Sequence, residues 1–134
     1  MTPTQIAEFS FSLSRCMAAP AFLDRFYELF MTSSDEVAEK FKTTDLDRQK
    51  RALASSLYVM VMAIERGEAA LAYLETIAER HNRNNLDIGP ELYDRWLDCL
   101  VQAAREHDPE FTETSEVLWR DTMSFGIEFM RARY

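Results

Sequence analysis

Helical periodicity runs along this chain almost without a break, and little in it would let a strand turn back on itself. No Asn-Gly or Gly-Gly pair of the kind that closes a tight hairpin occurs. Glycines number three and prolines four in 134 residues, while the strong helix formers Ala, Leu, Glu, Arg and Met are common. These features predict an all-α fold. A chain of this length fits one domain, residues 1–134, and buries about two-thirds of its unfolded surface. That is enough for a core with a cofactor-sized pocket.

The apolar stripes divide the chain into about seven helices. Ile6, Phe9, Leu13 and Met17 mark the first, from about Thr4 to Met17. Pro20 is expected to start the second, whose face carries Phe22, Phe26, Leu29 and Phe30. Ser33-Ser34-Asp35 ends it and caps a short helix with Val37 and Phe41 pointing inward. Thr44 or Asp45 caps the longest pattern, with Leu46, Gln49, Leu53, Leu57, Met60 and Ile64 inside and Gly67 closing it. A fifth helix carries Leu71, Leu74, Ile77 and Ala78 up to His81, and the polar run Asn82-Arg83-Asn84-Asn85 reads as a turn. Gly89-Pro90 opens a sixth, with Leu92, Trp96, Leu97, Leu100 and Val101 inside. His107-Asp108-Pro109 breaks it and reads as a surface turn. Thr112 caps the last, with Val117, Leu118, Met123, Ile127 and Met130 inward.

Charge and motif content exclude several classes of function. The net charge of −8 repels nucleic acid phosphate, and the Arg48, Lys50, Arg51 cluster reads as a solvated helix face. No apolar run approaches the roughly 20 residues of a membrane span, and no signal peptide is read. Cys16 and Cys99 lie far apart on apolar helical stripes, which reads as core packing in a reducing cytoplasm. Two histidines and two distant cysteines argue against a zinc site. No GxSxG, HExxH, Walker A or dinucleotide motif occurs. Met60 and Met62, available in principle to a metal, read as core filler.

One at a time, the remaining candidates stay ambiguous. His81 at a helix end reads as a surface residue or a C-terminal cap. Tyr27 reads equally as a core aromatic, Phe41 as corner packing, and Gln49 as exposed beside its basic neighbours. Their order is more informative. Tyr27 stands in Arg25-Phe26-Tyr27-Glu28-Leu29-Phe30, and Phe41 follows fourteen residues later. Gln49 and Leu53 lie one turn apart in Arg48-Gln49-Lys50-Arg51-Ala52-Leu53, and His81 comes twenty-eight residues after Leu53. Trp119 lies in the last helix. From about Phe22 to Met130 this series resembles the globin family, specifically bacterial haemoglobins and the globin domains of flavohaemoglobins and sensor globins.

The resemblance implies a globin fold enclosing haem b. It makes His81 the proximal iron ligand and sets Phe41 on the haem face. Tyr27, Gln49 and Leu53 form the distal gas pocket, and Tyr93 lies near the proximal side. The chemistry suits those residue types. A neutral imidazole supplies an axial nitrogen, with its other ring nitrogen held by a carbonyl or carboxylate. Tyr27 O–H and the Gln49 amide can donate to a gas that gains negative charge, worth about 1–3 kcal/mol or roughly ten- to hundredfold in affinity. The gap from Phe41 to Gln49 is two residues shorter than in flavohaemoglobins, so Arg48 or Ala52 stands as an alternative to Gln49 facing the iron. The carboxylate that pairs with the tyrosine at position 93 in those enzymes has no match here, which weakens the electron push expected of a dedicated peroxidase or dioxygenase. The chain ends at Tyr134, before any flavin, nicotinamide or signalling module. The expectation is reversible binding of O2 or NO. The alternatives are NO dioxygenase-type detoxification with a separate reductase, and a gas-sensing module, of which a haem-free form is disfavoured by His81. Aromatic faces on the last two long helices are expected to support a homodimer.

Overall fold

Each helix begins at a residue whose side chain can satisfy an orphan backbone N–H, or at a turn that redirects the chain. The computed structural model describes residues 1–65, 67–82 and 88–134, and these contain seven α-helices and no strand. Helix α1 (Pro3–Ala18) opens on a capping box: Thr2 Oγ1 accepts from the Gln5 N–H, and the Gln5 side chain accepts from the Thr2 N–H. Helix α2 (Phe22–Ser33) starts two residues after Pro20. The proline lies in the turn between α1 and α2, where the Phe22 N–H bonds back to the Ala19 carbonyl. Ser34 caps α3 (Asp35–Lys40) and Asp45 caps α4 (Leu46–Ile64), each accepting a backbone N–H three residues on, at 3.2 Å.

Gly67 differs from its sequence reading. Its φ of −68° is not left-handed; it donates to the Met62 carbonyl and at the same time occupies the N-cap of α5 (Glu68–His81). It closes α4 and opens α5 at once. The Arg83-Asn84-Asn85 part of the polar run lies outside the described residues. Helix α6 (Glu91–His107) follows Pro90, and α7 (Glu113–Ala132) opens on a second capping box, Thr112 with Ser115.

Helix α2 lies against α6 and α4 against α5, while α7 touches α1, α4, α5 and α6 and so forms the centre of the core. Trp119 is fully buried, with Phe9 and Phe22 against it edge-on at 4.9 and 6.1 Å. The Trp119 indole N–H donates to Ser12 Oγ at 2.9 Å, and Ser12 donates to Asp108 at 2.6 Å. Arg15 meets the same carboxylate with two hydrogen bonds. Asp108 does end α6, but it is buried, not a surface residue. His107 is half-buried, its Nδ1 bonded to the Ala103 carbonyl and its ring edge-on to Phe22. Both were expected at the surface because nothing local in sequence reveals the α1 partners of Asp108 or the α2 ring against His107. Val117, expected inside, is 56% exposed; Leu118 and Trp119 take the inward positions one residue further round the helix. Large apolar side chains exposed on α7 are Val117 and Phe125, and α6 exposes none. No helix among the described residues is long and apolar enough to cross a membrane.

Candidate functional site

Six helices, α2 to α7, contribute residues to one cavity of about 270 Å³. A close-packed core keeps few voids larger than a water molecule, so a space of this size has room for an occupant of cofactor chemistry. Its walls are mainly apolar and aromatic, and all six residues singled out from sequence line it: Tyr27, Phe41, Gln49, Leu53, His81 and Tyr93.

Helix periodicity explains how each arrives there. On α4, Gln49, Leu53, Ser56 and Met60 recur at three or four residues and form one wall. On α5, Leu74, Ile77 and His81 do the same. Of the three alternatives for the α4 position nearest the cavity's centre of chemistry, Gln49 and Ala52 lie on the wall. Arg48 is exposed and sits outside the lining.

His81 is half-buried at the last turn of α5, and its Nδ1 lies 2.7 Å from the Ile77 carbonyl oxygen. A carbonyl can only accept, so Nδ1 carries the proton and donates. The neutral ring then holds its lone pair on Nε2. Burial lowers the imidazole pKa, and the Arg80 charge lowers it further, against the opposing pull of the Ile77 bond. The ring is therefore a neutral nitrogen donor at neutral pH, with its orientation set by its own helix.

On the same lining, Tyr27 is 3% exposed on α2, and burial pushes its hydroxyl pKa up to about 12. It stays protonated and donates to the Gln49 main-chain carbonyl at 3.4 Å, a long and weak bond. Phe41 is half-buried just after α3, its ring edge-on to Tyr27 and to Phe30, each at 5.8 Å. Phe26 extends this aromatic wall to Trp96 on α6, 6.0 Å away. Tyr93 is buried on α6, its hydroxyl also pushed up to about 12 by burial. Among the described residues, the charge acting on Tyr93 is the Arg131 cation.

Sequence reading missed part of the lining. Trp96 and Ile77 read as ordinary core, and Met60 proves to be both core filler and cavity wall. Lys40 and Arg80 also line the cavity. Each directly precedes a residue that had been singled out, Phe41 and His81, which was the one signal available.

The donor set fits an iron porphyrin: an apolar cavity with aromatic walls, one oriented neutral imidazole, and a protonated hydroxyl on the same lining. Comparisons with known proteins agree with this geometry. A search of curated proteins finds no match. A solved structure from Pseudomonas aeruginosa PAO1, the protein PA3967, described as structurally highly homologous to a human haemoglobin, is 36% identical. The match covers 97% of this chain and 98% of that one, with a TM-score of 0.93. The globin family model matches residues 25–127, well over half of the sequence. The chain belongs to the globin family.

Proposed function

We propose that this globin binds haem b through His81 and reversibly takes up a diatomic gas, O2 or NO. The observation that carries the reading is the 2.7 Å bond from His81 Nδ1 to the Ile77 carbonyl, made by a ring on the wall of an apolar cavity. It leaves Nε2 as the ligating nitrogen, while burial favours the neutral ring. When bound, the haem would supply the metal centre that takes up a small gas. The protein's own part is to orient His81, to exclude water with Leu53 and the aromatic wall, and to offer hydrogen-bond donors. Tyr27 is poised for that last task, because the bond it gives to the Gln49 carbonyl is weak enough to be exchanged. Gln49 supplies the second donor from α4.

Binding is favoured over NO dioxygenase-type turnover with a separate reductase. A carboxylate near Tyr93 would strengthen the proximal donor, and a cation, Arg131, acts on that tyrosine instead. Residence in the cytoplasm is part of the proposal, supported by two free cysteines, one of them fully buried.

The test is titration of the purified protein with iron protoporphyrin IX. Wild type should develop an intense, saturable absorption band, and His81→Ala should lose it or bind at least tenfold more weakly. A wild type that develops no band refutes the reading; an unchanged spectrum in the variant refutes the choice of ligand.

A further inference from the structure

One polar group on the cavity wall still has no role. Tyr93 on α6 is 9% exposed and lines the same cavity as His81. Among the described residues its hydroxyl meets no hydrogen-bond partner, and no buried polar side-chain atom there is left orphaned. The hydroxyl is therefore not shut into the core, and the open space this side chain lines is the cavity. The acids closest to hand are engaged elsewhere: Asp94 and Glu128 pair with Arg131 at 2.6 and 3.1 Å. The Arg131 charge itself favours the phenolate over the phenol, against the larger effect of burial. An apolar cavity thus presents two groups able to give an electron pair to a metal, the His81 imidazole and a phenol oxygen with nothing else to hold it.

We propose that Tyr93 is a second protein donor for the iron, taken up by the oxidised state. This rests on the haem reading above. A porphyrin ring is a dianion, so its complex with iron(III) is a cation and its complex with iron(II) is neutral. Only the cation gains strongly from an anionic oxygen, whereas a neutral imidazole suits both. On ligation the phenol O–H bond breaks, the proton passes to water, and an oxygen lone pair binds iron(III); no electron is transferred. Because burial keeps Tyr93 protonated, with a pKa of about 12, the phenolate forms only where the metal's charge replaces the proton. Iron(II) stays with His81, and iron(III) is shared between the two donors.

The experiment titrates iron protoporphyrin IX into wild type, Tyr93→Phe, His81→Ala and the double variant, oxidised and reduced. Absorbance gives the affinities, and resonance Raman of the oxidised forms detects phenolate bound to iron. His81→Ala should keep a weakened ferric complex whose phenolate vibrations vanish on reduction. Adding Tyr93→Phe should abolish those vibrations and weaken ferric binding roughly tenfold further. In the wild-type background Tyr93→Phe should narrow the preference for iron(III) over iron(II) about two- to fivefold. That last ratio decides alone if His81→Ala does not fold. A ferric His81→Ala protein without phenolate vibrations overturns the proposal and leaves His81 ligation standing. A ferric preference unaltered by Tyr93→Phe does the same. Failure of wild type to bind iron protoporphyrin IX in either state removes the haem reading, and this proposal with it.

Discussion

At the scale of single residues, two hydrogen-bonded groups do different work. The Tyr27 hydroxyl is needed less for stability than for the cavity. Its bond to the Gln49 carbonyl is long, so Tyr27→Phe should change unfolding free energy by less than about 1 kcal/mol. The same substitution should raise the O2 off-rate by about tenfold or more in stopped flow, and an unaltered off-rate would remove Tyr27 from the distal role. Asp108 is the opposite case. Burial alone would push its carboxyl up, but bonds from Arg15, Ser12 and the Glu110 N–H outweigh it and hold the pKa below the ordinary value. A depressed folded pKa means the ionised form is the stabilising one. Its contribution is in place above the unfolded value of about 3.9 and is lost as pH falls from there through the folded value. Asp108→Ala should cost about 2–4 kcal/mol in urea at pH 7 and flatten the acid limb of the stability curve. A variant with the wild-type acid limb would show the network to be unimportant.

At the scale of elements, α4 and α7 meet at a position that only glycine allows without rearrangement. A Cβ on Gly126 would come within 2.8 Å of both Sδ and Cε of Met60. Those atoms are the mobile end of a flexible side chain, so alanine can be accommodated as the thioether swings away. A branched residue cannot. Gly126→Val should destabilise by about 1–3 kcal/mol. Adding Met60→Ala should recover part of that loss, the coupling expected of touching residues. Additive effects in a double-mutant cycle would mean that Gly126 serves something other than this contact. The same pair explains a limit of sequence reading. Met60 was legible as an inward residue from its helical spacing, but its place on the cavity wall depends on the space left by Gly126, sixty-six residues away. Helix ends behaved likewise. Ser34, Asp45 and Thr112 cap as their chemistry suggests, because capping is local. Pro20 lies two residues before α2 instead of in its first turn, and Gly67 begins α5 as well as ending α4, because a turn between helices is set by how the helices dock.

At the scale of the whole molecule, the globin arrangement leaves a cavity at its centre that the protein's own side chains do not fill. A ligand that binds only the folded state stabilises it by mass action, about 2.7 kcal/mol at a hundredfold excess over Kd. For a chain of this size that is a rise in melting temperature of roughly 5–15 °C, readable by calorimetry with and without iron protoporphyrin IX. A melting point indifferent to the ligand would mean that the cavity does not hold it. His81→Ala should remove most of the rise.

The helical class, most of the capping residues, and the ordered series Tyr27, Phe41, Gln49, Leu53, His81 and Tyr93 were legible along the chain. Periodicity, local hydrogen bonding and spacing along one chain are properties a sequence carries directly. Tertiary structure alone decided which of those residues share a cavity, and that Arg48 stays outside it. It also decided that Asp108 is buried beneath Arg15, and that Lys40 and Arg80 line the cavity. The physical reason is common to all four. Burial and electrostatic environment belong to contacts between elements distant in sequence, and no local pattern of charge or hydrophobicity encodes which partner the fold will bring.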